Sequence, residues 1–328
     1  MTRRGDLLRL LADGELHSGE ELAARLSISR AAVWKQMRQL GDWGIVWQAT
    51  PGRGYRLAAP IELLDAAAIR RALPQLAAGR LRHLEVHEEL GSTSDRLLAV
   101  TELPAGRFDA CLAEFQTAGR GRQGRHWLAP FASGLCLSVN WSFQDAPAAL
   151  GALSLAAGVA ILRALRAFEI AGLALKWPND VVHGHRKLGG ILIDMRGEAA
   201  GPAYVVVGVG INLHLPEEIR ANLLAEGIEP VGLSELRGEM PRRSALAAAI
   251  VNELVLALEE FAARGLAGFT DEWRAADALA DQPVRILQGG QSLEGRACGV
   301  DADGALLVDT GGARRRVLSG EVTVRPLT

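Results

Sequence analysis

The stretch Gln116-Thr-Ala-Gly-Arg-Gly-Arg-Gln-Gly-Arg-His-Trp127 sets Gly119, Gly121 and Gly124 among Arg120, Arg122 and Arg125, directly behind a strand-like run over 110–115. Glycine lets backbone N–H groups turn toward a ligand, and the guanidinium is a planar, always-charged donor matched to phosphate or carboxylate. The chemistry such a loop performs is the holding of an anion. The spelling Gly119-x-Gly121-x-x-Gly124 fits a dinucleotide fingerprint, but that motif requires a helix to open at the loop. Here the chain runs through His126 and Pro130 into an alternating strand, Leu135-x-Leu137-x-Val139-x-Trp141. The dinucleotide reading fails on that context; a solvated arginine–glycine turn remains the alternative at the level of spelling.

Four further clusters carry groups of the same kind. Gly91-Ser92-Thr93-Ser94 offers hydroxyls at a helix N-terminus, suited to a polar ring or an anion. Lys176-Trp-Pro-Asn179-Asp180 places a lysine and two oxygen-bearing side chains around a rigid turn, and Arg186-Lys187-Leu188-Gly189-Gly190 presents a lysine before a glycine-opened strand. Gly208-Val-Gly210-Ile-Asn212 ends a strand whose bare backbone admits close approach. Singly, each reads as a cap, a turn or a surface charge. Together they place glycine and cation at several strand ends.

The elements that position them alternate irregularly. Strands are predicted at 84–87, 110–115, 135–141, 173–176, 188–193 and 204–211, and helices at 93–101 and 147–171. A last helix is capped by Ser244, stopped by Gly265 and striped by Leu246, Ile250, Leu254 and Leu258. Consecutive strands without helices between them predict an α+β fold with a mixed sheet.

Ahead of this body, 3–12 reads as a helix, and Ser18 with Glu21 as a capping box opening a second. Ser29 caps a third, 30–40, which exposes Ser29, Arg30, Lys35, Gln36, Arg38 and Gln39. Residues 43–48 and 55–57 form a wing around a turn holding Arg53, which predicts a winged helix-turn-helix with Ser29, Arg30, Lys35, Gln36 and Arg53 facing DNA. Charge agrees: residues 1–60 carry 9 Lys+Arg against 6 Asp+Glu, and the remainder 27 against 32. From Pro283 five short strands between Gly-rich turns, Gly289-Gly290 among them, predict a small barrel. The organisation expected is three domains, 1–60, 65–275 and 280–328.

Length 328, 49% hydrophobic and 23% charged residues describe an ordinary globular chain. Three scattered cysteines argue for the cytoplasm and against a disulfide or zinc framework. The apolar stretch 146–162 is short for a bilayer span and reads as a buried helix, so no membrane partner is expected.

These motifs in combination resemble the family of bifunctional biotin–protein ligases that also repress biotin operons. The resemblance rests on S-T-S at 92–94, Q-x-x-G-R-G-R-Q-G-R at 116–125, K-W-P-N-D at 176–180, R-K-L-G-G-I-L at 186–192 and G-x-G-I-N at 208–212. It extends to H-S-G-E-x-L at 17–22, S-R-A-A at 29–32 and P-G-x-G-Y at 51–55, and so spans almost the whole chain. Lipoate ligases share the general fold, but their R-R-x-S-G-G-G segment is absent.

The resemblance implies a synthetase-like central domain, an SH3-like C-terminal domain, and formation of biotinyl-5′-AMP from biotin and ATP before transfer to a carrier lysine. It implies that Ser92, Thr93, Ser94, Gln116, Gly190 and the Arg120-Gly121-Arg122 segment surround biotin, with Lys187, Arg120 and Arg122 as the catalytic cations. Trp127, Asn179, Asp180 and Asn212 would lie toward the nucleotide. Mg²⁺ would arrive with ATP near Asp180, with no fixed protein site. Implied partners are the biotin carboxyl carrier protein, operator DNA and a second copy in a ligand-promoted homodimer. Two alternatives stand beside this: a biotin-sensing repressor without catalysis, and a ligase whose N-terminal domain does not repress. Two departures matter: Ser94 replaces the family's Asn, and 214–236, the place of the adenine-covering loop, holds no aromatic residue.

Overall fold

The computed structural model describes residues 3–144, 150–197, 202–288, 291–318 and 322–326. Helices α1 (Arg3–Leu11), α2 (Gly19–Leu26) and α3 (Arg30–Gln39) close on Leu7, Leu8, Leu11, Leu22, Val33 and Met37, and the wing is β1 (Trp47–Thr50) paired with β2 (Gly54–Leu57). Ser18 Oγ accepts from Glu21 N at 3.0 Å and Ser29 Oγ from Ala32 N at 3.1 Å, so both predicted caps form. The reciprocal half of the first box does not: the Glu21 carboxylate faces His17 and Arg25.

Trp43, expected to start the wing, instead ends a short 3₁₀ turn and docks on the central body. It stacks on Phe131 with centroids 4.5 Å apart, and its indole N–H donates to Glu89 at 2.5 Å. Phe131 and Ala132 therefore belong to the N-terminal core.

The chain continues through α4 (Ala66–Ala72), α5 (Gln75–Arg80), β3 (Leu81–Leu90), α6 (Thr93–Leu98), β4 (Phe108–Gln116) and β5 (Gly134–Phe143). Next come α7 (Leu153–Arg166), β6 (Leu173–Lys176), β7 (Asp180–His183), β8 (Arg186–Gly197), β9 (Ala203–Asn212), α8 (Glu217–Ala225), α9 (Arg243–Arg264) and α10 (Thr270–Ala275). The seven strands run β3-β4-β5-β9-β8-β7-β6, parallel between β3 and β4 and antiparallel elsewhere, the mixed α+β sheet expected.

Alternation sorts its faces. Leu135, Leu137, Val139 and Trp141 of β5 and Val205, Val207 and Val209 of β9 join α7 and α9 in one core, while Cys111 and Val206 face Leu97 of α6. α7 is shorter than predicted at both described ends; its expected start at 147–149 lies outside the described residues, as does the Gly289-Gly290 turn. Ser244 is not a cap. It lies inside α9, and its Oγ accepts from Asp65 N at 3.1 Å, fastening the segment that enters the central body. Beside it the buried Arg243–Glu114 ion pair, 2.7 Å, takes up the Gly134 carbonyl at 2.8 Å and the Leu64 N–H.

Strands β10 (Pro283–Gln288), β11 (Gln291–Val300), β12 (Leu306–Asp309), β13 (Arg314–Val317) and β14 (Val322–Pro326) form an antiparallel sheet in the order β13-β12-β11-β10-β14. Arg316 of β13 is tied to Asp301 and Asp303. The sheet reaches the central body where Trp177 Nε1 donates to the Gly304 carbonyl at 3.0 Å.

The connecting segment hydrogen-bonds to Leu175 on either side of Asp277, and burial pushes the Asp277 carboxyl up to about 6. A raised carboxyl pKa stabilises the fold at acid pH, and that contribution is lost as pH rises through the folded value. Asp277→Asn keeps the acceptor for Leu279 N without the charge. Its melting-temperature advantage over wild type should grow between the ordinary value of 3.8 and about 6 and stay level above. A difference independent of pH refutes this.

Candidate active site

On the face away from the α7/α9 core, register sets Ser138 opposite Gly208 and Cys136 opposite Gly210, with Leu192 and Gly190 on the far side of those glycines. The result is a patch of sheet nearly without side chains. A Cβ at Gly210 would lie 2.3 Å from the Trp127 ring, and one at Gly208 2.6 Å from Ser94 Oγ, so both positions demand glycine. A cavity of about 860 Å³ opens over the patch, within the range of ligand sites. Every residue named above for biotin and nucleotide lines it: Ser92, Thr93, Ser94, Gln116, Arg120, Gly121, Arg122, Trp127, Asn179, Asp180, Lys187, Gly190 and Asn212.

One end of the cavity is hydroxyl and amide. Ser92 caps α6 by accepting from Asp95 N at 3.3 Å, and Gln116 Oε1 accepts from Thr93 N at 2.8 Å and from Thr93 Oγ1 at 3.2 Å. Ser92, Thr93 and Ser94 are all buried. The arginine loop closes over the middle as a narrow ribbon, with Gly121 N donating to Arg125 O at 2.7 Å and Trp127 N to Gly119 O at 3.0 Å.

Its three arginines part company. Arg120 pairs with Asp95 at 2.7 Å and Asp194 at 2.8 Å, so two carboxylates already meet its charge. Arg122 is half-buried and reaches Asn179 Oδ1 at 3.3 Å; burial draws its pKa down while Asp180 opposes the shift. Arg125 is exposed. The arginine whose desolvation an incoming anion would relieve is Arg122.

At the other end Lys187 Nζ lies 2.6 Å from Asp180 Oδ1, each side chain about a quarter exposed. Lys187 sits within β8, not before it, and its backbone bridges Glu229 and Val231. Asn179 and Asn212 spend their amide N–H groups on the Ile191 and Lys187 carbonyls, at 2.7 and 3.3 Å, which steadies the strand carrying the lysine. Trp127 covers Gly210 and turns its buried indole N–H toward Cys136. Beneath lies Cys136, whose thiol burial pushes up to about 11, so it stays neutral.

Sequence reasoning missed Ser138 behind the cavity, and Ile228, Pro230, Leu279 and Gln282, which line it. The alternation of β5 carried the signal for Ser138, but not the register that sets it beside Ser94. The Glu85-His87-Cys111 cluster could ligate a metal by spacing, yet Arg96 holds the Glu85 carboxylate at 2.7 Å and opposes a cation there.

In the N-terminal domain Ser29, Arg30, Lys35, Arg38 and Arg53 are exposed, whereas Gln36 and Gln39 are half-buried, contrary to the expected exposure, and Gln36 Oε1 has no partner among the described residues. Trp34 is 45% exposed on α3 and meets Trp47 edge-on at 5.6 Å.

Comparison with known proteins follows the same three segments. The Biotin/lipoate A/B protein ligase family matches residues 92–212, an HTH domain 3–56, and the Biotin protein ligase C terminal domain 280–325. The chain is 39% identical to the bifunctional ligase/repressor BirA of Salmonella typhimurium over 97% of its own length and 96% of that protein. It is 30% identical to BirA of Bacillus subtilis over 98% of both. Among solved structures it resembles the biotin protein ligase of Aquifex aeolicus in complex with biotin and ATP, with TM-score 0.63 and 26% identity over 75% of this chain and all of that one. By sequence, domain composition and fold, the chain belongs to the BirA family of bifunctional biotin ligase/repressors.

Proposed function

We infer that this chain joins biotin to a lysine of a biotin carboxyl carrier protein at the expense of ATP, and represses biotin-synthesis genes when charged with the intermediate. The observation that carries the ligase is one cavity with a hydroxyl–amide end at Thr93 and Gln116, a bare glycine floor, and Arg122 and Lys187 where an acyl phosphate would lie.

In the first step a biotin carboxylate oxygen bonds to the α-phosphorus and the bond to pyrophosphate breaks. In the second the carrier lysine Nζ attacks the acyl carbon, loses a proton, and AMP leaves. Lys187 and Arg122 face the charge that gathers on the phosphoryl oxygens. Asp180 holds Lys187 Nζ in place until an anion competes for it. Asp180 and Asn179 would supply oxygens to a magnesium ion arriving with ATP once the phosphates draw Lys187 off Asp180, and the ion would offset part of the triphosphate charge. The ribbon of 119–127, with Trp127 beneath it, shields the mixed anhydride from water.

The repressor reading rests on the exposed Arg30, Trp34 and Lys35 of α3 and on Arg53 at the wing. A single winged helix reads one half-site, which calls for a dimer. Support for the ligand-promoted homodimer lies in β8: its partner β7 reaches only to Gly190, so 192–197 keep an open edge among the described residues, and Asp194 on that edge holds Arg120 of the ligand loop. No described helix is long and apolar enough to cross a membrane, and Cys111, Cys136 and Cys298 are free, in keeping with a cytoplasmic protein. The proposed division is 1–60 for DNA, 65–275 for catalysis and 280–328 for the small C-terminal domain.

Two assays on one preparation test this: ATP-dependent transfer of biotin to carrier protein, and operator titration at fixed salt with and without biotin and ATP. Transfer with ligand-independent operator affinity leaves a ligase without a switch; ligand-dependent DNA binding without transfer leaves a sensor. Deleting 1–60 should abolish operator binding and preserve transfer, because every lining residue lies beyond Gly91. The truncated chain should also melt earlier, since uncovering Phe131 costs about 2 kcal/mol. An unchanged melting temperature would show that the Trp43–Phe131 stack contributes nothing.

A further inference from the structure

Three buried hydroxyls lie in a row behind the hydroxyl–amide end of the cavity. Ser138 Oγ is 2.8 Å from Thr93 Oγ1 and 3.1 Å from Ser94 Oγ, and Thr93 Oγ1 is 3.2 Å from Gln116 Oε1. Thr93, Ser94 and Gln116 line the cavity; Ser138, 0% exposed, does not.

The direction of this chain follows from counting hydrogens. A hydroxyl donates one and accepts up to two. The Thr93 backbone N–H, which only donates, faces Gln116 at 2.8 Å and so orients the amide with Oε1 inward. That carbonyl oxygen only accepts, so Thr93 Oγ1 spends its hydrogen there. Thr93 then accepts from Ser138, and Ser138, its hydrogen spent, accepts from Ser94. This is the one arrangement in which all three contacts carry a hydrogen. Ser94 is left with no hydrogen for a ligand and with lone pairs facing the cavity. Gly208 across the register makes room for the row, because a Cβ there would meet Ser94 Oγ at 2.6 Å.

We propose that Ser138 is a positioning residue that locks Ser94 as a hydrogen-bond acceptor, so that the pocket selects a ring N–H at that point and rejects an isosteric ring oxygen. This assigns a role to the serine that stands where the family has asparagine, and it rests on the biotin ligase reading above. A urea ring supplies the N–H; a cyclic carbamate, with one ring N–H replaced by oxygen, sets lone pair against lone pair.

The test is calorimetric titration of the full chain, without ATP, with biotin and with both carbamate regioisomers. Wild type should prefer biotin over one regioisomer by about 10- to 100-fold, the usual cost of an unmatched buried polar group. In Ser138→Ala the Ser94 hydrogen is released and turns to the ring oxygen. The preference should fall to within a few-fold, with the KM for ATP unchanged. Ser94→Ala removes the acceptor and should collapse the preference as well; it decides the matter if Ser138→Ala does not fold. A variant that keeps the wild-type preference overturns the proposal, as does a wild type that binds biotin but does not discriminate. A wild type that binds no biotin overturns the ligase reading itself.

Discussion

Replacing Lys187 with alanine should slow biotin adenylation by about 10²–10³, the usual cost of one charge-stabilising donor. A cation ~4 Å from a phosphate charge at an effective dielectric near 20 contributes up to about 4 kcal/mol. Not all of it acts in the transition state, because Lys187 is already held by Asp180 at 2.6 Å and part of its attraction to ATP is expressed on binding. Rapid-quench measurement of pyrophosphate release separates the two. The rate of the chemical step should fall, whereas biotin binding measured without ATP should change little. Asp180→Asn keeps the lysine but removes the carboxylate that holds it, and should weaken ATP binding more than it weakens biotin binding. An adenylation rate for Lys187→Ala within a few-fold of wild type rejects the assignment.

The second large effect is expected at Arg122. The sequence alone singles out the whole Arg120-Gly121-Arg122 segment and assigns retention of the intermediate to Arg120. In the folded chain Arg120 is met by Asp95 and Asp194, while Arg122 is half-buried beside Asn179. A charged hydrogen bond contributes about 1.5–3 kcal/mol, so Arg122→Ala should shorten the lifetime of bound biotinyl-AMP by about 10- to 100-fold. Activated biotin released early should then label bystander lysines. Arg120→Ala should act more weakly, through loosening of the loop. A chase of labelled adenylate with excess unlabelled biotin and ATP reads both lifetimes. If Arg120→Ala shortens the lifetime more than Arg122→Ala, the division of labour is wrong.

What lay open in the sequence was whatever depends on near neighbours along the chain. Ser18 and Ser29 announce helices because a cap is a contact three residues long. The alternation from Leu135 to Trp141 announces a strand because side chains on a pleated ribbon change face at every residue. The motifs at 92–94, 116–125, 176–180, 186–192 and 208–212 named the parts of the site for the same reason: each is a short local device for holding a polar or anionic group.

Tertiary structure decided what each polar side chain does with its hydrogen bonds. Ser244 has the residue type of a cap, yet its hydroxyl accepts from Asp65, a partner far along the chain. Trp43 reads as wing and serves as the joint to Phe131. Arg120 and Arg122 are alike in type and two residues apart, but only the fold brings Asp95 and Asp194 to the first. Ser138 is one of many serines until register sets it behind Thr93 and Ser94. Local periodicity and motif spelling report the energetics of neighbouring peptide units. Burial, ion pairing and hydrogen-bond direction depend on groups that meet only after long loops have closed, and there the sequence by itself names the candidates and the folded chain assigns their roles.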